Sequence, residues 1–495
     1  MRLTLQGHTY KYAVEQMLLM MYPDERPVYF EEEAALSAEV SLKFGGTYAS
    51  AVTRLNSNGG VFIGISRVRR AALTDKLTTD RQLQKIIKLS FYKAAVSDKV
   101  GTNPAWQQPV WGALTGIRPG KIVTGLLERG YSEKKALNTL IKDYNVSPER
   151  GALCIDTAKA SRLTIAALHE KDIALYIGIP FCPTRCHYCS FVSHSVEKSM
   201  KLIEPFLEAL YKEIDALSVV VRTNSLNIIS VYIGGGTPTT LSAMQLDGLL
   251  KKLAAVFDLK NIREYTVEAG RPDTITADKL NALFNNGVSR ISINPQTMSN
   301  DVLQSIGRRH TADDVLTAMG LSRAAGFQMI NMDLIAGLPG DTPGGFKASL
   351  EAVLSLDPEN ITVHTLSLKK GTRITLENTA IPSAFDVASM LDDAGSQLHR
   401  GGYVPYYLYR QKFMSGGFEN VGWCLPGKES LYNILIMEEL ATILSLGGGG
   451  VTKLVKQTTG RIERIFNPKY PYEYITNIDR VIVNKSTINR FWSQV

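Results

Sequence analysis

Cysteine is scarce in this chain, with five in 495 residues. That count excludes the disulfide-stapled framework of a small secreted protein, and a chain this long buries a full core without staples. Long apolar runs are missing too. The strongest, at 176–180 and 228–233, are strand-sized, far short of the roughly 20 residues a membrane span needs. The opening MRLTLQGHTYKY has no apolar segment of the signal-peptide kind. The expectation is a cytoplasmic protein with no membrane span, in a reducing setting that keeps thiols available for metal. Blocks of one charge sign are also absent. The net charge is +8, yet the basic residues are scattered, with one knot, RVRR, at 67–70. A solubility bias or an anionic substrate accounts for this balance, and nucleic acid is not an expected partner.

What the chain does hold is unevenly placed. From about 172 to 400, short β-branched runs alternate with amphipathic helical stretches. The strand-like runs are 173–179, 228–233, 264–268, 288–294, 328–336 and 360–366, with helical patterns such as 241–257 and 313–326 between them. Thr276 and Thr311 stand where helix N-caps belong. Six β–α units in series predict an α/β fold with a parallel sheet, either open and twisted or curved like a barrel. Ligands bind such sheets at the carboxyl ends of the strands. The unusual residues collect at that rim. IPFCPTRCHYCSF (179–191), with Cys182, Cys186 and Cys189, follows the first strand, and GGGTPT (234–239) follows the second. Glu268 ends the third, Gln296 follows the fourth, and Asp333 lies in the fifth, before GLP (337–339). A turn, a cap or a buried polar residue explains any one of these; five on one rim point to a ligand site.

Residues 1–168 read as an N-terminal α+β domain. Parts of 1–66 alternate with period two, SNGG (57–60) reads as a hairpin turn, and 80–168 is mostly helical in pattern. Residues 401–495 read as a small C-terminal domain with an aromatic-rich strand, a helix near 429–445 and GGGG at 447–450.

The cysteine spacing is C-x3-C-x2-C. Structural zinc wants four ligands; His187 sits awkwardly between two cysteines, and Cys424 stands alone. A redox pair of Cys186 and Cys189 leaves Cys182 unexplained. A four-iron cluster on three thiolates leaves one iron open to a ligand. GGGTPT suits close approach of backbone to a ligand, whereas a plain turn needs only one glycine.

Together CPTRCHYC and GGGTPT resemble the signature of radical S-adenosylmethionine enzymes, in the branch that contains the oxygen-independent coproporphyrinogen III oxidases. WGALTGIRPGK (111–121), EAGRPDT (268–274), YRQK (409–412) and PGKESLYNI (426–434) resemble its coproporphyrinogen dehydrogenase type of Gram-positive bacteria. The resemblance implies a partial (β/α)6 barrel at 169–400, with Cys182, Cys186 and Cys189 holding a 4Fe–4S cluster whose open iron binds S-adenosylmethionine. It implies that Tyr176 and Tyr188 border that cofactor and that Gly235, Gly236 and Thr237 hold its methionine end. Glu268 and Gln296 are implied as further contacts, Arg308 as the partner of a carboxylate, Asp333 as the acceptor from ribose hydroxyls, and Ser367 as an adenine-side residue. It also implies coproporphyrinogen III or another tetrapyrrole as substrate, and an electron donor such as flavodoxin or ferredoxin. Two other readings stay open: a radical tetrapyrrole methyltransferase or haem-degrading enzyme, and a haem-binding chaperone, toward which Phe191 points.

Other features are set aside. GWCLPGKE (422–429) approximates a phosphate loop, but Glu429 replaces the magnesium-binding hydroxyl and no strand is expected to lead into it. Its Pro426 and Gly427 read as a helix entry. Cys424 reads as a packing residue, His310 and His364 as structural histidines, and GGGG as a flexible turn. YLYRQK (407–412), as a strand, puts Tyr407, Tyr409 and Gln411 on one face, either as core or as a macrocycle contact, with Arg410 or Lys412 against propionates.

Overall fold

The computed structural model describes residues 1–29, 34–103, 106–189, 194–195, 199–369, 371–411, 417–457 and 459–493. The chain forms two compact units, one of residues 1–117 and 126–153, the other of 118–125 and 154–495.

In the first unit, β1 (Arg2–Gln6), β2 (Ser37–Phe44), β3 (Tyr48–Ser57) and β4 (Gly60–Arg69) form a sheet in that spatial order. β1 is parallel to β2, and the others are antiparallel. Ser57 pairs with Gly60, so Asn58 and Gly59 form the two-residue turn that SNGG predicts. The long helix Lys76–Thr102 packs on β3 and β4. It lies so close that a Cβ at Gly64 would run into the Ser90 carbonyl. The core joins Val14, Met17 and Leu18 to Val40, Ile87 and Phe91.

The second unit is built on one mixed sheet of eleven strands. Its centre is β5 (Asp172–Ile179), β8 (Asn227–Gly235), β9 (Glu264–Gly270), β10 (Arg290–Gln296), β11 (Ile330–Ala336) and β12 (Asn360–Thr365), adjacent in chain order and all parallel. These are the six predicted runs. Their interiors are mostly buried, as near-continuous apolar runs of a parallel sheet should be. Thr276 and Thr311 cap the helices Ala277–Asn285 and Ala312–Ala324, as predicted. Two-residue β6 (Phe181–Cys182) and β7 (His194–Ser195) pair beside the sheet.

Residues 401–495 do not fold apart, as the sequence suggests; they extend this sheet at both ends. β13 (Val404–Arg410) and β14 (Glu419–Cys424) add antiparallel strands beside β12. β15 (Thr442–Gly447) runs parallel to β5, followed by β16 (Val451–Lys456) and β17 (Arg461–Phe466). The helix expected over 429–445 stops at Glu438, because Glu439 turns left-handed (φ 54°) and the β-branched TILSL that follows completes the sheet. GGGG is the turn expected, but tightly packed rather than flexible: a Cβ on Gly448 would lie 2.8 Å from Pro180. A strand, β14, does lead into GWCLPGKE. Arg290 and Asn360 bond the Lys428 carbonyl there, and Cys424 packs with Tyr406, Tyr407 and Ile434.

Candidate active site

A cavity of about 420 Å³ opens at the carboxyl ends of the parallel strands. Cys182, Cys186, Cys189, Tyr176, Tyr188, Gly235, Gly236, Thr237, Glu268, Gln296, Arg308, Asp333 and Ser367 all line it. The three cysteines are thiols. Among the described residues, no three His, Cys, Asp or Glu side chains group tightly enough to hold one ion. Phe191 and Lys412 lie outside the described residues.

The cysteine loop and the glycine loop are bonded to each other. The amides of Gly236 and Thr237 donate to the carbonyls of Ile179 and Phe181, at 2.8 and 2.7 Å. A Cβ on Gly236 would sit 2.5 Å from the Phe181 carbonyl, and one on Gly234 would sit 2.8 Å from the Glu268 carboxylate. These glycines are therefore required by the protein's own packing, and two of the amides expected to meet a ligand are already engaged. Thr237 donates its hydroxyl to the Cys182 sulfur at 3.5 Å. His187 turns away from the cysteines. Its Nδ1 lies 2.9 Å from the Ser305 carbonyl and its Nε2 3.1 Å from Arg373.

Glu268 accepts from the Tyr232 hydroxyl at 2.6 Å and from the Gly235 amide at 3.3 Å. Burial pushes its carboxyl up to about 7, with nearby Asp333 adding to the rise against the pull of Tyr232. Asp333 goes the other way. Burial would raise it, but His364 at 3.6 Å, Asn331 and Thr362 together hold it below the usual range. His364 thus faces the cavity, whereas His310 does not line it. Burial, with Arg308 and Arg271 nearby, pushes His310 down to about 4.

Gln296 has φ 70°, uncommon for a residue with a side chain, at a register break between β10 and β11. Its Oε1 is buried without a partner, as are the Ser367 Oγ and the Arg308 Nε. Buried polar atoms are nearly always bonded, so three orphans lining one cavity are where a polar ligand's groups could bond. Arg308 otherwise donates to the Asn294 carbonyl and the Tyr188 hydroxyl, at 3.1 and 2.8 Å.

Several lining residues escaped the sequence reading. Tyr232 stacks with Tyr432 at 4.3 Å, and Tyr176 lies 6.2 Å from both. The signal was present: Tyr-Ile-Gly occurs at 176–178 and 232–234, and the two tyrosines are register partners across β5 and β8. Tyr407, Tyr409 and Gln411 share the cavity face, as alternation predicts. Arg410 points away and donates to the Gly417 carbonyl, so it is no propionate contact. Arg271, inside EAGRPDT, also lines the cavity.

The comparisons with known proteins agree with this geometry. Residues 176–353 match the radical SAM superfamily. The oxygen-independent coproporphyrinogen-III oxidase-like protein HemZ of Bacillus subtilis is 42% identical over 369 residues, 74% of each chain. The haem chaperone HemW of the same organism is 37% identical over 198 residues, 40% of this chain and 51% of HemW. The solved structure of coproporphyrinogen III oxidase (HemN) from Escherichia coli superposes with a TM-score of 0.51 at 22% identity, covering 66% of this chain and 73% of HemN, which speaks to the fold. The chain belongs to the radical SAM superfamily, among the HemZ-like coproporphyrinogen-III oxidase-like proteins. Membership implies a 4Fe–4S cluster and S-adenosylmethionine, and the three thiols, the orphaned polar atoms and the cavity fit both. No helix of the described residues is long and apolar enough to cross a membrane.

Proposed function

We propose that this protein carries out the oxygen-independent oxidation of coproporphyrinogen III to protoporphyrinogen IX. The observation that carries the reading is the convergence on one cavity of three cysteines and every cofactor residue expected from the motifs, in a chain similar to HemZ along three quarters of its length. Cys182, Cys186 and Cys189 would hold the 4Fe–4S cluster. Cluster and S-adenosylmethionine supply, when bound, the electron and the 5′-deoxyadenosyl radical that takes hydrogen from a propionate side chain. Loss of carbon dioxide, with one further electron passed to an external one-electron acceptor, would leave a vinyl group, at two propionates per substrate.

The chain's own part is positioning. Arg308 would meet a cofactor carboxylate, Asp333, held ionised, the ribose hydroxyls, and Gln296 and Ser367 further polar groups of the cofactor. Glu268 meets the cofactor from β9, braced by Tyr232. Tyr407, Tyr409, Asn433, Met437 and Lys369 also line the cavity and suit a flat macrocycle with carboxylate arms. The Lys369 cation would serve a propionate.

The test is anaerobic turnover. Reconstituted protein receives reductant, S-adenosylmethionine and coproporphyrinogen III, and products are followed by mass. Protoporphyrinogen with 5′-deoxyadenosine supports the oxidase. Deoxyadenosine without decarboxylation moves the substrate to haem or another tetrapyrrole. Neither product from cluster-loaded protein, with a Soret band on haem titration, identifies a haem chaperone instead.

A further inference from the structure

Arg271 is a buried cation aimed at one of the cysteine sulfurs. Its side chain is 3% exposed, and its Nη1 donates to the Cys186 Sγ at 3.4 Å. Nη2 donates to the Thr184 hydroxyl, inside the same cysteine loop, at 3.0 Å. Asp273 orients the fork from behind, accepting from Nε at 3.1 Å and from Nη2 at 3.3 Å. The short Pro272–Thr274 turn fixes this pair just beyond the end of β9. Cys182, bonded by Thr237, and Cys186 thus both receive protein hydrogen bonds, the latter from a full positive charge.

Hydrogen bonds to cysteine sulfur and the net charge nearby are the means by which a protein sets the reduction potential of an iron–sulfur cluster. A cluster gains negative charge when reduced. A buried guanidinium beside its ligand favours the reduced form more strongly than one screened by water. We infer that Arg271 is a positioning residue that raises the cluster's reduction potential through Cys186, with Asp273 moderating that effect. The inference rests on the reading of Cys182, Cys186 and Cys189 as cluster ligands. It concerns how readily the site accepts an electron, not which tetrapyrrole it serves.

The experiment is a redox titration of the reconstituted protein followed by electron paramagnetic resonance, with iron and sulfide counted for each variant. Arg271→Met removes both donor and charge. At a fixed poise its reduced-to-oxidised ratio should fall about tenfold, a shift of about 59 mV for one electron. Asp273→Asn leaves the guanidinium less compensated, and its ratio should rise. These opposite signs are not expected of variants that merely loosen the fold. Arg271→Met with a full cluster and an unchanged ratio overturns the inference. If Arg271→Met does not fold or load, Asp273→Asn decides: a rise supports the assignment, and an unchanged or lowered ratio overturns it. A wild type that takes up no four-iron cluster overturns the ligand reading and this inference with it, whereas a loaded wild type matched by loaded variants overturns the inference alone.

Discussion

Glu213 and Glu268 are two carboxylates set deep in the same unit, and the fold treats them in opposite ways. Glu213, on the helix Ile203–Thr223, is wholly buried and saturated. It accepts from the Gly447 amide and the Asn467 amide, each at 2.8 Å, and from the Tyr474 hydroxyl, and it pairs with Lys485 at 3.1 Å. Glu268 faces the cavity, accepts from the Tyr232 hydroxyl and the Gly235 amide, and is pushed up to about 7. A saturated buried acid fastens elements together; here it ties β15 and the C-terminal helix Ile478–Ser486 to the centre of the unit. An acid with spare capacity at a cavity is poised to meet something else.

The largest effect expected from breaking this contrast is at the sealed acid. Glu213→Leu leaves Lys485 charged and buried, and should destabilise the protein by about 3–5 kcal/mol, read from urea denaturation. Folded variant should keep its S-adenosylmethionine affinity; a specific loss of binding with normal stability would reverse the two roles. Next is Glu268→Gln, which should weaken S-adenosylmethionine binding about tenfold, near 1.4 kcal/mol, in equilibrium dialysis of the loaded protein. Its denaturation midpoint near neutral pH should not fall.

The pH dependence of that same pair of proteins sharpens the point. Below 4.5, the ordinary value, Glu268 is protonated both folded and unfolded, and costs nothing. As pH rises toward about 7, the unfolded chain releases the proton first, so the folded state loses relative stability. Above that value the loss is complete. Glu268→Gln lacks this term, so its stability relative to wild type should climb between those pH values and then level off. A flat difference across the window would show that burial does not perturb Glu268. The smallest effect is expected from Tyr232→Phe. It removes a bond that favours the charged carboxylate, worth about 1 kcal/mol, and should move the Glu268 titration further upward, visible by infrared spectroscopy of the carboxyl.

Much of the site was legible because α/β sheets place strand ends together. Once six βα repeats are recognised, residues that end or follow successive strands must share a rim, so Cys182, Glu268, Gln296 and Asp333 could be grouped from spacing alone. Side-chain alternation along β13 likewise put Tyr407, Tyr409 and Gln411 on one face. Arg271 was not legible in the same way, and Tyr232 only through the repeated Tyr-Ile-Gly at 176–178 and 232–234. Arginine inside a proline-containing turn has no sequence mark that says which way it points. A tyrosine within a strand reads as core until its register partner is known.

The sequence by itself determined the class of the fold, the six central strands, two helix caps, one hairpin turn and the three-cysteine loop, because each depends on local periodicity or on residue types a few positions apart. Tertiary structure alone decided the fate of residues 401–495, whose strands join opposite ends of one sheet. It decided that Gly234 and Gly236 make room for protein rather than for ligand alone. It also set Glu213 and Glu268 apart as a sealed fastening and an open contact. A carboxylate's role depends on how many donors surround it, and those donors come from strands and helices up to 261 residues away along the chain.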